Sequence, residues 1–194
     1  MTIQTNKSEY NVEETVLVNG SLTLDNSPVT DALIGIQVNG ADDKPLMFRT
    51  LHTGKPPTAQ KIEIIEVYPC DDAGNPKYIF ERGTLASFKV TVKNKYSEQL
   101  YVVLTLTGYY EPYSIPFTAI TFMSDYIDGG MTFSAIVYVP IPTNAPVGPA
   151  RVYCCAYTYI PASLGSPYCP EVSANFSIAS GTSMTGMESI EFSP

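Results

Sequence analysis

Leu85-Ala-Ser-Phe-Lys-Val-Thr-Val-Lys93 and, five residues on, Gln99-Leu-Tyr-Val-Val-Leu-Thr-Leu-Thr107 decide the fold. In the first run Phe88, Val90 and Val92 alternate with Lys89, Thr91 and Lys93. That is the period of a strand with one face inward and one face outward. The same period extends in both directions. Toward the N-terminus lie Thr15–Leu24 (TVLVNGSLTL), Ala32–Val38 (ALIGIQV) and Lys61–Tyr68 (KIEIIEVY), in which Ile62, Ile64 and Val67 read as inward. Toward the C-terminus lie Thr132–Val139, Arg151–Tyr159 and Val172–Ile178. Val, Ile, Thr, Tyr and Phe fill these segments, and Gly, Pro, Asn and Asp separate them. No stretch keeps a helical period over ten residues. The reading is all-β, and the regular spacing of short strands points to sandwiches rather than a propeller.

Prolines fall where strands should end, at Pro56-Pro57, Pro69, Pro76, Pro112, Pro116, Pro140, Pro142, Pro146, Pro149, Pro161, Pro167 and Pro170. A proline cannot donate to a sheet ladder, so this placement suits a β fold. Asp71–Pro76 (DDAGNP) and Asp128-Gly129-Gly130 read as turns.

Composition excludes several functions. With 44% hydrophobic residues the 194-residue chain can bury a core, but 11 Lys+Arg against 19 Asp+Glu leave a net charge of -8. Nucleic-acid binding needs a basic face, so no nucleic-acid partner is expected. The lone histidine, His52, argues against a histidine metal site or a Ser-His relay; it reads as a surface residue. No G-x-S-x-G elbow accompanies Ser124, Ser163 or Ser166. No carboxylate pair stands in an acid/base context. Asp71, Asp72 and Asn75 could offer oxygens to calcium, but they lack the regular calcium-loop spacing and read as a turn. The sequence therefore predicts no enzyme, no catalytic residue, no metal and no cofactor.

The opening Met1–Ser8 has no basic segment followed by an apolar one, so no signal peptide is read there. No apolar run approaches the roughly 20 residues of a membrane span, and no membrane insertion is expected. These features fit a processed exported chain or one assembled into a virion. Three sequons, at Asn6, Asn19 and Asn175, carry information only if exposed.

None of the four cysteines forms a C-x-x-C motif. Cys154 and Cys155 are adjacent on a strand and must face opposite ways. Cys70 lies early and Cys169 late in one domain, and the first and last strands of a sandwich often run side by side. The expected bridge is Cys70–Cys169, with Cys155–Cys169 across a hairpin as second choice. Such a bridge implies an oxidising location or a hyperthermophile.

The Pro-rich stretch His52–Ala59 divides the chain into residues 1–58 and 59–179, followed by a tail at 180–194. Residues Ile3–Val16, Val18–Leu22, Pro28-Val29 and Ala32–Val38 resemble the opening of a macroglobulin-type or bacterial immunoglobulin-like domain. Phe80–Thr84, Phe88–Asn94, Val139–Pro142, Asn144–Gly148, Ala150–Tyr157 and Pro167–Glu171 resemble the immunoglobulin-like modules of archaeal cell-surface proteins. The resemblance covers most of residues 3–178 and rests on structural motifs. It implies two tandem immunoglobulin-like sandwiches, an extracellular structural or adhesive role, and no catalytic residues to carry over.

The first of these domains stops after about four strands, which leaves an edge and an inner face uncovered. It can pack on the second domain, dimerise, or accept a strand from a neighbouring subunit. Met184, Met187, Ile190 and Phe192 make the tail a candidate donor strand; the plain alternative is a loose terminus. Strand donation runs head-to-tail and propagates into a filament unless it closes. The expectation is a homopolymeric filament or fibre subunit on a cell or virion surface, with a host-surface glycan or protein as a further partner. The contrasting expectation is a carbohydrate-binding or accessory module of a larger surface protein. For that role Tyr109, Tyr110, Tyr113 and Tyr159 are the candidate surface-binding residues, since tyrosine joins a broad apolar face to a polar tip. Packing in the sandwich is the competing use of the same rings.

Overall fold

A computed structural model describes residues 2–7, 14–111 and 114–181. Its strands, in chain order, begin with β1 (Thr2–Thr5), β2 (Val18–Ser21), β3 (Thr23–Leu24), β4 (Ser27–Pro28), β5 (Leu33–Asn39) and β6 (Pro45–His52). They continue with β7 (Ile62–Cys70), β8 (Ile79–Glu81), β9 (Leu85–Asn94), β10 (Leu100–Tyr110) and β11 (Ile115–Ile127). The last are β12 (Thr132–Pro140), β13 (Gly148–Tyr157) and β14 (Val172–Ala179), with a 3-10 turn at Pro161–Ser163. The chain is all-β: no α-helix occurs among the described residues.

Two sheets face each other to make a β-sandwich. One is five-stranded, in the order β11-β10-β13-β14-β8, and antiparallel except for the β14–β8 pair. The other is three-stranded, β12-β9-β7. Alternation fixes which side chains meet between them. From β9 come Ala86, Phe88, Val90 and Val92, all fully buried, and from β10 come Val102, Leu104 and Leu106. Phe88, Phe80 and Phe176 form an aromatic knot across the gap, with centroids 5.2–6.1 Å apart.

The irregular pattern of β7 has a local cause. Its register against β9 shifts between Ile64 and Glu66. Ile65 is the extra residue, left half-exposed, so Ile62 and Ile64 point inward before it and Val67 after it. A bulge moves the face by one residue, as strict period two cannot.

β10 is buried along most of its length on both faces. Its second face is covered by the antiparallel hairpin β5–β6, which lies on the outside of the five-stranded sheet. Phe48 of β6 sinks into a second small core with Val103, Cys155 and Tyr157. Phe48 and Thr50 are the only buried side chains among the described residues before position 59, and both are buried against the sandwich. The Pro-rich stretch read as the divide runs between His52, which ends β6, and Ile62, which starts β7.

The expected Thr15–Leu24 strand is present only as β2 and β3, exposed throughout. Five strands had no counterpart in the periodicity: the short β1, β4 and β8, and the long β6 and β11. β6 opens on Pro45 and carries Arg49 at its centre. β11 holds Pro116, and its register against β10 shifts twice, with Phe122 and Phe117 as the extra residues.

Candidate functional site

The hairpin is held on the sheet by side chains that capture its backbone. Thr107 of β10 has its Oγ1 between the two main-chain groups of Phe48: it accepts from Phe48 N at 2.9 Å and donates to Phe48 O at 3.1 Å. Glu171, just ahead of β14, accepts from the Thr50 amide at 2.8 Å. The same carboxylate takes Arg49 in a fork, with Nε at 2.9 and 3.0 Å and Nη2 at 2.6 Å. Tyr157 donates its hydroxyl to Arg49 O at 2.9 Å and accepts from Thr50 Oγ1 at 3.3 Å. The Arg49 guanidinium lies 3.7 Å above the Tyr153 ring, a cation–π contact that adds to the fork.

This seam sets the local electrostatics. Burial alone would lower the Arg49 pKa, but the Glu171 carboxylate more than offsets it and the guanidinium stays charged. Burial, and then the negative charge of Glu171, pushes the Cys155 thiol up to about 12. Burial likewise raises Tyr109 and Tyr157 above the usual phenol range. Nothing here is a poised nucleophile or base. The groups are arranged to hold β6 on the sheet. The periodicity could not find them, because Arg49 lies in a strand that was not read and Glu171 follows a proline.

The predicted disulfide is corrected. All four cysteines are buried and free. Cys70 ends β7, while Cys169 packs against the Ile64 backbone near the strand's start. Six residues of strand separate those points by roughly 20 Å, beyond the ~7 Å Cα separation that a disulfide tolerates. The second choice fails on facing: Cys155 belongs to the outer cluster with Phe48, and Cys169 to the core between the sheets. Cys154, on the inward side of β13, shares that core with Cys169.

The tyrosine candidates separate. Tyr109 is buried, its ring edge-on to Tyr153 at 5.4 Å. Tyr110 stacks on Phe117 at 4.7 Å, over Gly108, where a Cβ would come within 2.5 Å of the Phe117 ring. Tyr109 is thus taken up in packing, while Tyr110 is half-buried against Phe117. Tyr113 lies outside the described residues, as do Met184, Met187, Ile190 and Phe192. Tyr159 is exposed, 5.2 Å from Tyr101, which in turn meets exposed Tyr126 at 5.2 Å. The surface aromatic group is thus Tyr101, Tyr126 and Tyr159, and two of its three members were not singled out from the sequence.

Among the described residues, clefts indent the surface. One of about 260 Å³ is lined by Asp71, Asp72, Lys77 and Tyr138, among others. Asp71 is committed to its turn there: the Asn75 side-chain amide first, then the main-chain amides of Asn75 and Ala73, donate to it and hold its carboxyl below the ordinary range. Another, of about 440 Å³, includes Tyr78, Glu111, Arg151 and Asn175, with Arg151 paired to Glu111 at 2.9 Å. His52 uses Nδ1 on the carbonyl of Gly54 at 2.7 Å in the linker.

At the N-terminus, β1 pairs with β2 from Thr2↔Ser21 to Thr5↔Val18, and β3 with β4. All four strands are exposed along their whole length. Ile3, Val16, Leu17, Val18 and Leu24 stand in solvent there, with Leu24 69% exposed.

No family model matches the chain, and no curated protein matches it. Solved structures do resemble it. The C-terminal domain of wzt aligns with a TM-score of 0.50 at 9% identity, over 70% of this chain and 86% of that one. The alkylpurine DNA glycosylase AlkC of Pseudomonas fluorescens, bound to DNA containing an abasic site analog, aligns at 0.47 and 10% identity, over 63% of this chain and 31% of that one. The CARDB domain of a Pyrococcus furiosus protein, in complex with di-metal ions, aligns at 0.39 and 12% identity, over 63% and 98%. At such identities the likeness to the wzt domain speaks for the fold alone.

Proposed function

We propose that this chain is a non-catalytic structural subunit of an extracellular filament or fibre, on a cell or virion surface. In this reading two immunoglobulin-like units lie in tandem, and copies join head-to-tail through strand-mediated contacts. The observation that carries it is the condition of β1–β4: strands with no buried residue, presenting Ile3, Leu17, Val18 and Leu24 to water. A lone two-stranded ribbon is at best marginal in water. Covering one Val, Leu or Ile contributes about 1.5–3 kcal/mol. A strand from a neighbouring copy supplies both the missing ladder partner and the missing apolar cover. A head-to-tail contact of that kind propagates unless it closes.

One feature favours an extracellular setting. The asparagines of all three sequons, Asn6, Asn19 and Asn175, are exposed. Removing residues 180–194 tests the donor assignment by electron microscopy and light scattering. Loss of polymer supports the tail as donor, and undiminished polymer assigns the donor role elsewhere. A full chain that stays monomeric at every concentration overturns the filament itself.

A further inference from the structure

We propose that Tyr101, Tyr126 and Tyr159 form a binding site for a neutral glycan. Three segments distant in sequence meet there. Tyr101 of β10 lies directly across the ladder from Tyr126 of β11, and Tyr159 comes from the loop after β13. Both outer rings sit 5.2 Å from the central one, tilted by 68° and 36°, so the group is a cup and not a flat platform. Tyr126 is 59% exposed and Tyr159 56% exposed. Large rings gathered at the surface and left open mark interaction sites more often than a scattered apolar residue does.

The cup is held in shape before any ligand arrives. The Tyr101 hydroxyl shares a 2.6 Å hydrogen bond with Ser124 Oγ, and Tyr168 donates to Tyr101 O at 3.0 Å. The Tyr159 loop is closed by Thr158 N to Ser166 O at 2.9 Å and by Ser166 N to Thr158 Oγ1 at 2.9 Å. Gly165 packs so tightly on the Tyr159 carbonyl that any Cβ there would collide with it. Ile160, the next residue, packs against the outer core around Phe48, and Ala162 N donates to Gln37 Oε1 of the docked hairpin. Ordering of these rings is therefore completed by folding, and binding does not have to supply it.

Charge selects the ligand class. Across residues 97–102 and 124–130 the charged side chains are Glu98, Asp125 and Asp128, and residues 158–167 carry none. Asp128, tied to Gln99 two residues before Tyr101, and the chain's net charge of -8 disfavour phosphate, sulfate and carboxylate groups there. A sugar ring without charge offers C–H faces for the tyrosine rings and hydroxyls for Ser124, two residues before Tyr126 on the same face of β11, and for the Gln99–Asp128 pair, whose amide–carboxylate bond is 2.6 Å.

Affinity electrophoresis through gels containing a neutral polysaccharide tests the site, with a glucan, a mannan, a galactan and a xylan as separate probes. The intact chain should be retarded by at least one of them. The Tyr126→Ala/Tyr159→Ala double variant should lose that retardation, and Tyr126→Phe should keep most of it. Tyr78→Ala, which removes an exposed ring elsewhere, should run as the parent does. Sedimentation of the double variant should match the parent, which separates sugar binding from assembly between copies. No retardation by any probe, retardation unchanged in the double variant, or a changed sedimentation coefficient overturns the assignment.

Discussion

Glu171 and Arg49 are 122 residues apart in sequence and joined by a three-contact fork, with Nη2 2.6 Å from Oε1. Both side chains are largely shielded, at 14% and 23% exposure. The carboxylate also holds the Thr50 amide, so one side chain fixes both the charge and the backbone of β6. Glu171→Gln leaves Arg49 facing a neutral amide in a shielded place. The expected loss is about 3 kcal/mol, measured by urea unfolding. Arg49→Met combined with Glu171→Gln should recover most of it, because the unpaired charge is removed while the introduced side-chain carbonyl can still accept from the Thr50 amide. A Glu171→Gln protein as stable as the parent would mean that the fork does not hold the hairpin.

Thr107 is the second clasp, and its prediction is independent of charge. Thr107→Val keeps the shape and removes the hydroxyl that serves both Phe48 N and Phe48 O. The Phe48 amide then lacks its partner, at a cost of about 1–3 kcal/mol before relaxation, and the Phe48 carbonyl keeps only the 4.0 Å contact from Cys155 Sγ. Hydrogen exchange at the Phe48 amide should accelerate while β9 amides in the inter-sheet core keep their protection. Equal acceleration in both places would show that hairpin and sandwich open as one unit.

The buried thiols predict a loss of stability in alkali. Burial pushes Cys169 from 9.0 up to about 12, and burial with Glu171 does the same to Cys155. The folded chain therefore holds these protons more tightly than the unfolded chain. Their contribution is fully present below pH 9.0 and is lost as pH rises through about 12. Across that window each thiol costs up to about 1.4 kcal/mol per pH unit. Urea unfolding on either side of pH 9.0 should show a smaller alkaline loss for Cys169→Ala than for the parent. Identical losses would place the alkaline weakness elsewhere. Thiol titration in denaturant should also count four free groups, and a lower count would reinstate a bridge.

The inter-sheet core was readable because β9 obeys period two without interruption, and Phe88, Val90 and Val92 are all buried as alternation requires. Even the awkward inward set of Ile62, Ile64 and Val67 had a physical meaning, the bulge at Ile65. What escaped is what joins the parts. β6 starts at Pro45 and β11 contains Pro116, and each breaks the alternation that marks a strand. β10 reads as apolar on both faces, but a sequence does not say whether the second face meets a helix, a sheet or a hairpin. The fork between Arg49 and Glu171 is a tertiary fact with no local signature. The tyrosines showed that rings are plentiful; only the folded strands decide that Tyr109 and Tyr110 are packed while Tyr126 and Tyr159 face water. Proximity of first and last strands suggested Cys70–Cys169, and the position of each cysteine along β7 rules it out.

The exposed ribbon β1–β2 gives the most direct measurement of whether copies of this chain assemble. Sedimentation velocity of the full chain over a rising concentration series should show mass growing in multiples of 21.2 kDa. Ile3→Asp with Val18→Asp, both at exposed positions of that ribbon, should hold the protein at the single-chain mass without lowering its melting temperature. A parent chain that remains at 21.2 kDa throughout the series, or a variant that assembles as readily as the parent, would contradict assembly through these strands.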